Sequence, residues 1–308
     1  MFEHTLTRRE LCTLLGAAAL AGGLPGSPPM AATAMVTRKV PSSGEAMPVI
    51  GMGSSGTFNV GASASDRLPL AEVLETFCAG GGTIIDTSPM YGNSEQVLGD
   101  LIAEAGLRDK LWLATKVWTE GRAAGAKQIA ESMRLLRTDR LELLQIHNLL
   151  DWREHLPTIR SLQEDGKLRY SGVTHYKASA HDELERVLSA ERFDWVQFNY
   201  SLEEREAEQR LLPFCQQNGI AVMINRPFAD GAMFQKTRGE VLPPWASEIG
   251  CHTWAQFFLR FVVSHPAVTC TIPATSKPHH MADNVSAGSS PLPNEKQRVR
   301  MAAYFAGL

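Results

Sequence analysis

The stretch TIIDTSPMYGNSEQVLGDLIAEA (residues 83–105) contains one complete strand-to-helix unit. The β-branched run Thr83–Asp86 ends on a carboxylate and predicts a short buried strand. Across Asn93–Ala105 the apolar residues recur on one helical face, and Asn93 with Gln96 resembles an N-terminal capping box. The stretch therefore predicts a β-strand, a loop and an amphipathic helix in succession.

The same alternation continues along the chain. Short apolar strands alternate with amphipathic helices, and a hairpin with its turn at residues 41–44 precedes the first of them. The predicted strands are Val49–Met52, Thr83–Asp86, Leu111–Lys116, Leu141–Ile146, Tyr170–Val173, Trp195–Phe198, Ile220–Ile224 and Val268–Ile272. Eight such units predict a (β/α)8 or TIM barrel with a short N-terminal hairpin. An open doubly wound sheet is the alternative.

Side chains of catalytic type follow three neighbouring predicted strands. Asp86 ends the second strand and Tyr91 lies in the loop beyond it, Lys116 ends the third, and His147 follows the fourth. Because the active sites of such barrels lie at the C-terminal ends of the strands, we expect these four residues to converge. The long loop at 229–250, after the seventh strand, lies at the same end and is expected to be functional.

These four groups suit proton delivery to a carbonyl. A free tyrosine has a pKa of about 10 and is a poor acid at neutral pH. A nearby Lys116 favours the phenolate of Tyr91 and lowers its pKa, while Asp86 holds the lysine in place. His147 would donate a hydrogen bond to the substrate oxygen. None of these groups supplies a hydride, so a nicotinamide cofactor is expected.

Composition and charge indicate a globular protein without a nucleic-acid footprint. The chain has 308 residues, a hydrophobic fraction of 44% and a net charge of −3, with its lysines and arginines dispersed. Cys78, Cys215, Cys251 and Cys270 have no metal-type spacing, so we expect buried small side chains and no metal site. A disulfide among them is an open alternative in an oxidising compartment.

The first 34 residues predict a twin-arginine export signal. Arg8-Arg9 precedes the apolar run Leu11–Leu24, and the small residues Ala32–Ala34 form a cleavage site. We therefore expect a signal peptide at 1–34, a single barrel at 35–308, the twin-arginine translocase as a partner, and a periplasmic location. The apolar run is too short and too glycine-rich for a stable membrane span. A disordered N-terminus with a chance arginine pair, or a signal retained as an anchor, are the alternatives.

The sequence resembles the aldo-keto reductase family. The segments IIDTSPMYGNSEQVLG, LATKVW, LLQIHN, YSGVTHY, WVQFNYS and IPATSKPHHMADN carry the resemblance, in the right order, from about residue 49 to residue 287. The resemblance implies a (β/α)8 barrel that reduces an aldehyde or ketone with NAD(P)H, or catalyses the reverse reaction. It implies that Tyr91 is the general acid, that Lys116 modulates its pKa, that Asp86 pairs with the lysine, and that His147 orients the carbonyl.

The resemblance also implies binding residues for cofactor and substrate. It assigns the nicotinamide amide to Thr174, His175 and Gln197, and phosphate and adenine to the segment at 272–284. The implied cofactor-binding residues are Gly53, Ser54, Thr174, His175, Gln197, Asn225, Arg226, Phe228, Thr275, Ser276, Lys277, His280 and Asn284. The implied substrate residues are Ser55, Trp118 and Asn148.

The sequence departs from the family pattern at several of these positions. Asn225 replaces a tyrosine that stacks on nicotinamide, and Arg226 beside it is predicted either to contact pyrophosphate or to form a surface ion pair. Ala274 and His280 replace two fixed positive charges that face a 2′-phosphate, so NADPH is expected and NADH remains open. Ser55 replaces a bulky aromatic residue, which predicts a wider substrate pocket.

Two other functions compete with a carbonyl reductase. A dinucleotide-binding regulatory or interaction subunit on the same barrel would bind nucleotide with little turnover. A metal-dependent barrel isomerase or hydrolase would require clustered His, Asp and Glu at strand ends, where only Asp86 and His147 qualify. The substrate in the leading interpretation is a small-molecule carbonyl or alcohol.

Overall fold

The computed structural model describes residues 34–308, and the predicted signal segment lies outside the described residues apart from Ala34. Within this range the strands are β1 (Thr37–Lys39), β2 (Ala46–Pro48), β3 (Met52–Gly53), β4 (Ile84–Asp86), β5 (Trp112–Val117), β6 (Leu141–His147), β7 (Leu168–Thr174), β8 (Trp195–Asn199), β9 (Ala221–Asn225) and β10 (Cys270–Thr271). The α-helices are α1 (Ala64–Ala79), α2 (Ser94–Glu104), α3 (Arg122–Leu135), α4 (Trp152–Glu164), α5 (His181–Ala190), α6 (Leu211–Gln217), α7 (Ala232–Lys236), α8 (Trp254–Val263), α9 (Pro278–Ser286) and α10 (Glu295–Ala306).

Strands β3 to β10 form one parallel sheet in sequence order, and its two ends meet. The Gly51 amide donates to the Thr271 carbonyl at 2.8 Å, and the Gly53 amide donates to the Pro273 carbonyl at 3.1 Å. These bonds close the sheet into a barrel, which confirms the predicted (β/α)8 architecture. A side chain at Gly53 would place its Cβ 2.7 Å from the Ile272 carbonyl oxygen, so this approach requires glycine.

Two hydrophobic layers hold the barrel together. Every residue of β5 is buried, because one face of a parallel strand points into the barrel and the other packs on helices. The interior layer includes Trp112, Tyr170 and Trp195, and the indole rings of Trp112 and Trp195 lie 5.3 Å apart between centroids. The outer layer lies between the strands and the surrounding helices. The interior is therefore a packed core whose open end lies at the C-terminal ends of the strands.

The predicted N-terminal hairpin is present and closes the opposite end of the barrel. Strands β1 and β2 pair antiparallel across a turn at 41–44. Val40 and Met47 are buried in the same cluster as the barrel interior. The Tyr170 hydroxyl lies 2.6 Å from the Ser43 hydroxyl and 2.7 Å from the Glu45 carboxylate. The hairpin is thus anchored to a barrel strand by both apolar and polar contacts.

Helix α2 confirms the predicted helix, but the capping box proposed for it is wrong. The Asn93 side-chain amide donates to the Val60 carbonyl at 3.2 Å, and that of Gln96 donates to Asp100 at 2.9 Å. A contact with another loop holds the Asn93 side chain away from the helix terminus, and a contact one turn further along the same helix holds that of Gln96. A capping box does form at the start of α10, between Asn294 and Gln297.

The four cysteines at 78, 215, 251 and 270 are free thiols, and the last three are buried. Across residues 34–308, no helix combines the length and apolarity that a membrane crossing needs. The same residues contain no cluster of three or more His, Cys, Asp or Glu side chains arranged to hold a metal ion.

Candidate active site

Neighbouring strands bring the four predicted catalytic residues to one mouth of the barrel. Asp86 is the last residue of β4, Lys116 lies one residue before the end of β5, and His147 is the last residue of β6. Tyr91 follows Asp86 by five residues, in the loop that leads to α2. These strands are consecutive in the sheet, so their C-terminal ends adjoin.

A buried ion pair forms the floor of this site. The Lys116 ammonium lies 2.5 Å from Asp86 Oδ2 and donates to the Thr87 carbonyl at 2.8 Å, and the two charged side chains are 0% and 2% exposed. Burial by itself lowers the pKa of Lys116. The charges of Asp86 and Tyr91, and hydrogen bonds to them, outweigh burial, so this pKa stands above its ordinary value. The lysine is therefore held as a fixed cation.

Two glutamines hold the other oxygen of Asp86. Gln145 Nε2 on β6 donates to Oδ1 at 3.0 Å, and Gln197 Nε2 on β8 donates to it at 2.9 Å. The carboxylate thus has a hydrogen-bonded partner on both oxygens. The sequence analysis did not select Gln145, although a polar residue within the apolar strand LELLQIH was a usable signal.

Tyr91 lies over the lysine, with Lys116 Nζ 5.0 Å from the centre of its ring. Burial raises the pKa of Tyr91 above its ordinary value, Lys116 opposes that rise, and Asp86 adds to it. Lys116 does lower the pKa of Tyr91 as expected, but burial outweighs this contribution and Asp86 adds to the rise, so the net shift is upward. Tyr91 consequently remains a protonated phenol at neutral pH.

His147 faces Tyr91 edge to face, with 5.9 Å between ring centroids. Burial, then the charges of Lys116 and His175, lower the pKa of His147 to about 3, so the imidazole is neutral at neutral pH. Its Nδ1 lies 3.0 Å from the hydroxyl oxygen of Ser88, a buried residue that the sequence analysis also missed. A neutral imidazole donates a hydrogen bond from one nitrogen only.

A cavity of about 520 Å³ opens above these groups. It is lined by most of the residues predicted to bind near the reacting end of the cofactor and substrate. From those predictions, the lining contains Gly53, Ser54, Ser55, Asp86, Tyr91, His147, Asn148, Thr174, Gln197, Asn225, Arg226 and Phe228. Trp118 lies beside this lining, with its ring centroid 6.4 Å from that of His147.

Other predicted cofactor residues lie outside the cavity lining. His175 is turned away, because its Nδ1 accepts the backbone N–H groups of Tyr176 and Lys177 at 3.0 and 3.2 Å, and its ring stacks on Tyr176. His175 is thus a predicted nicotinamide contact that the cavity lining does not include. The remaining predicted residues lie beyond Ala274 at the cavity edge: Thr275, Ser276, Lys277 and His280 at or near the N-terminus of α9, and Asn284 in its C-terminal half.

Arg226 is already engaged in ion pairs. Its guanidinium contacts Glu204 at 3.1 Å and Asp230 at 2.9 Å, and it donates to the Tyr176 carbonyl at 2.8 Å. Of the two alternatives for this residue, the structure contains the ion pair. The arginine ties three loops together at the cavity edge.

The side-chain amide of Asn225 has a hydrogen-bonded nitrogen and an oxygen without a partner among the described residues. Its Nδ2 donates to the His175 carbonyl at 3.2 Å and approaches Gln197 Oε1 at 3.3 Å. Its Oδ1 is buried without a hydrogen-bond partner among the residues that the structure describes. An orphaned buried acceptor beside a cavity is a position for a ligand donor.

The rim of the site is apolar. Met90, Trp118 and Tyr176 on loops and Phe234 on α7 lie at this end of the barrel and are 39–45% exposed. Asp230 and Phe234 show that the long loop predicted at 229–250 does reach the cavity, and part of it forms α7.

Comparison with known proteins places this site in a family. A sequence profile described as "Aldo/keto reductase family" matches residues 49–299. Methylglyoxal reductase YeaE of Escherichia coli is 30% identical over 269 residues, which cover 84% of this chain and 92% of that protein. Aldo-keto reductase YhdN of Bacillus subtilis is 29% identical over 203 residues, 60% of each chain.

Solved structures resemble this chain over most of its length. An aldo-keto reductase from Klebsiella pneumoniae in complex with NADPH superposes with a TM-score of 0.73 at 27% identity, covering 89% of this chain and 95% of its own. An aldo/keto reductase from the same organism in complex with NADP and acetate gives a TM-score of 0.70 at 28% identity, covering 85% and 93%.

Proposed function

The chain belongs to the aldo/keto reductase family, and from that premise we propose that it reduces an aldehyde or ketone to an alcohol with NADPH, or catalyses the reverse reaction, with Tyr91 as the proton donor. The observation that carries the role of Tyr91 is the buried Lys116–Asp86 pair beneath its ring, opposite a neutral His147. This arrangement places one transferable proton and one fixed hydrogen-bond donor at the same cavity.

Each residue then has a separate task. When bound, NADPH would supply the hydride that reduces the carbonyl carbon. His147 donates a hydrogen bond that orients the carbonyl oxygen, and the Tyr91 phenol transfers its proton to that oxygen. Lys116 stabilises the tyrosinate that remains, and Asp86 keeps the lysine charged and in position. The same groups in reverse take the proton from an alcohol.

The residues at the cavity fit the nicotinamide end of this cofactor. The free Asn225 Oδ1 and the Thr174 hydroxyl offer an acceptor and a polar partner to a carboxamide. The free N–H groups at the start of α9, with Thr275 and Ser276 beside them, would hold phosphate. His280 and Lys277 are the predicted contacts to a 2′-phosphate. The pKa of His280 is lowered by burial and then by the nearby His279 and Lys277. This leaves Lys277 as the charged group there.

The test follows NADPH or NADH oxidation at 340 nm with a panel of aldehydes and ketones, including the methylglyoxal named for the Escherichia coli relative. We expect Tyr91→Phe to lower kcat at least about a hundredfold, the lower range for a positioned general acid. Tyr170→Phe, which removes a tyrosine hydroxyl at the closed end of the barrel, is the matched control. Equal turnover by wild type and Tyr91→Phe would show that Tyr91 is not the acid, and nucleotide binding without turnover would favour the regulatory alternative.

The rim suggests the substrate class. The four exposed apolar side chains at 90, 118, 176 and 234 surround the mouth, and the cation in the cavity lining, Arg226, is paired with Glu204 and Asp230. We therefore propose a neutral carbonyl with a bulky apolar substituent. Benzaldehyde should give a higher kcat/KM than 4-carboxybenzaldehyde, whereas a preference for the carboxylated compound would overturn this proposal.

We also propose export through the twin-arginine translocase to the periplasm. The support is the order of the segments at 1–34, which precede the family match at 49–299. Because this pathway carries folded proteins, the exported enzyme would leave the cytoplasm with its cofactor bound.

Cell fractionation tests export. The wild-type chain should appear in the periplasm without its first 34 residues, and Arg8→Lys/Arg9→Lys should remain in the cytoplasm at full length. Wild-type protein that stays in the cytoplasm with its first 34 residues still attached would contradict the proposal. Acid release of nucleotide from purified periplasmic protein measures the preloading: absence of dinucleotide would contradict that part alone.

A further inference from the structure

Ser88 lies in the chain between Asp86 of the buried ion pair and the general acid Tyr91, and its hydroxyl has two partners. The residue is 0% exposed and follows Asp86 by two positions. Its Oγ accepts the backbone N–H of Met90 at 3.2 Å and lies 3.0 Å from His147 Nδ1. The proposed function assigns it no role.

Counting protons decides the direction of the bond to the histidine. If Nδ1 donated its proton to Ser88, the hydroxyl proton would have no acceptor in the part of the chain that the structure describes. A buried hydroxyl without an acceptor is costly. If Ser88 instead donates to Nδ1, every buried group in this pair is satisfied and the histidine carries its proton on Nε2.

We infer that Ser88 is a positioning residue that fixes His147 as the Nε2–H tautomer, with the donating nitrogen directed at the cavity. A free neutral imidazole exchanges its proton between both nitrogens, and only one of these forms can donate to a substrate from Nε2. The partner of the inner nitrogen therefore sets the function of the outer one. With the tautomer of His147 fixed by Ser88, His147 is a fixed hydrogen-bond donor and Tyr91 is the group that transfers a proton.

Nitrogen NMR of the tautomer tests this inference without any catalytic turnover. In protein labelled with ¹⁵N-histidine, long-range ¹H–¹⁵N spectra distinguish the protonated nitrogen of each ring, and His147→Gln identifies the His147 signals. We expect a protonated Nε2 and an unprotonated Nδ1 in the wild type. Ser88→Ala should shift both nitrogens towards the average of the two tautomers, and Ser88→Thr, which keeps the hydroxyl, should restore them.

Kinetics give the second readout, and this part rests on the proposed reductase function. Ser88→Ala should lower kcat about fivefold, the factor that loss of one net hydrogen bond corresponds to, with KM for NADPH unchanged. Ser88→Thr should recover most of that loss. Ser132→Ala is the matched control, because Ser132 is also buried and hydrogen-bonded, to Glu95 at 3.0 Å behind the barrel wall.

The outcomes separate the two proposals. A protonated Nδ1 in the wild type, or unchanged ¹⁵N shifts in Ser88→Ala, would overturn the role of Ser88. An equal loss of kcat in Ser132→Ala would reduce the kinetic effect to general destabilisation and would also count against it. If no carbonyl is turned over but the tautomer responds as expected, the reductase proposal fails and the inference about Ser88 stands.

Discussion

At the N-terminal end of the barrel, Val40 and Met47 are buried against the aromatic interior, whereas at the C-terminal end the loops after β6 and β9 hold left-handed backbone. Seven non-glycine residues in the described chain have positive φ, and six of them lie in these two loops: Asn148, Leu149, Asp151, Arg226, Ala229 and Asp230. Such conformations are costly and persist where surrounding contacts enforce them. One end of the barrel is built to be stable, and the other end carries strain where it binds.

Unpartnered buried polar groups occur at both ends, because the indole nitrogens of Trp112 and Trp195, the first residues of β5 and β8, also have no partner among the described residues. The ends differ in whether such groups adjoin the cavity. At the closed end, the Tyr170 hydroxyl contacts Ser43 and Glu45, and the hairpin is held in place. At the open end, a buried ion pair is combined with side-chain oxygens of Asn148 and Asn225 that have no partner within residues 34–308. Unsatisfied groups reduce stability in the free protein and give a ligand something to satisfy. The contrast can be tested by changing one side chain at a time at each end.

The largest expected effect is at the open end. Lys116→Met leaves the Asp86 carboxylate buried without its cation, so the free energy of unfolding should fall by about 3–5 kcal/mol. Turnover should fall at least about a hundredfold. Urea denaturation and the 340 nm assay measure the two quantities.

The double variant Asp86→Asn/Lys116→Met separates stability from catalysis. Removing both charges should recover much of the lost stability but none of the activity. A double variant as unstable as Lys116→Met alone would contradict the assignment of that loss to an unpaired charge.

The next effect concerns the width of the mouth. Ser55 is exposed on the cavity lining, so Ser55→Trp should fill part of the pocket and raise KM about tenfold for a bulky aldehyde, with little change for a small one. Ser65→Trp on α1, also exposed but away from the cavity, is the control. An unchanged KM for bulky substrates in Ser55→Trp would show that this position does not limit substrate size.

A smaller effect is expected at the closed end. Tyr170→Phe removes the hydroxyl that contacts Ser43 and Glu45, and should lower the free energy of unfolding by about 1 kcal/mol. Because this contact lies at the other end of the barrel, kcat/KM should stay the same. A fall in kcat/KM without a loss of stability would mean that the two ends are coupled.

The smallest expected effect is a flat pH profile. Since the pKa of His147 is lowered to about 3, kcat/KM should show no histidine ionisation between pH 5 and pH 8. Burial raises the pKa of Tyr91, so activity should decline only on the alkaline side of the ordinary tyrosine range, above about pH 10. An acid limb near pH 6.5 that disappears in His147→Gln would contradict a neutral His147.

The sequence predicted the strands because buried parallel strands are continuous apolar runs between turn signals. Strand β6, for example, was expected at 141–146 and spans Leu141–His147. The three polar strand ends that define the site were visible for the same reason, since a charge that follows such a run is conspicuous. Asp86, Lys116 and His147 could therefore be selected from the sequence without knowledge of tertiary contacts.

The pairing of polar side chains was not predictable in this way. Gln197 contacts Asp86 from 111 residues away, and the salt bridge of Arg226 to Glu204 spans 22 residues. Such contacts depend on strand register and loop conformation, which no local pattern encodes. His175 illustrates the consequence, because local backbone contacts engage the ring of a residue that was expected at the cofactor but does not line the cavity.

Closure of the barrel has a consequence for synthesis. The first barrel strand makes its closing bonds with residues 271 and 273, about 220 residues later in the chain. At about 5–20 residues per second, roughly 10 to 45 s separate the emergence of the two partners from the ribosome. During that time the growing sheet has exposed edges, which pair readily with other strands. A chaperone that covers the nascent strands until translation reaches β10 would protect this protein from aggregation.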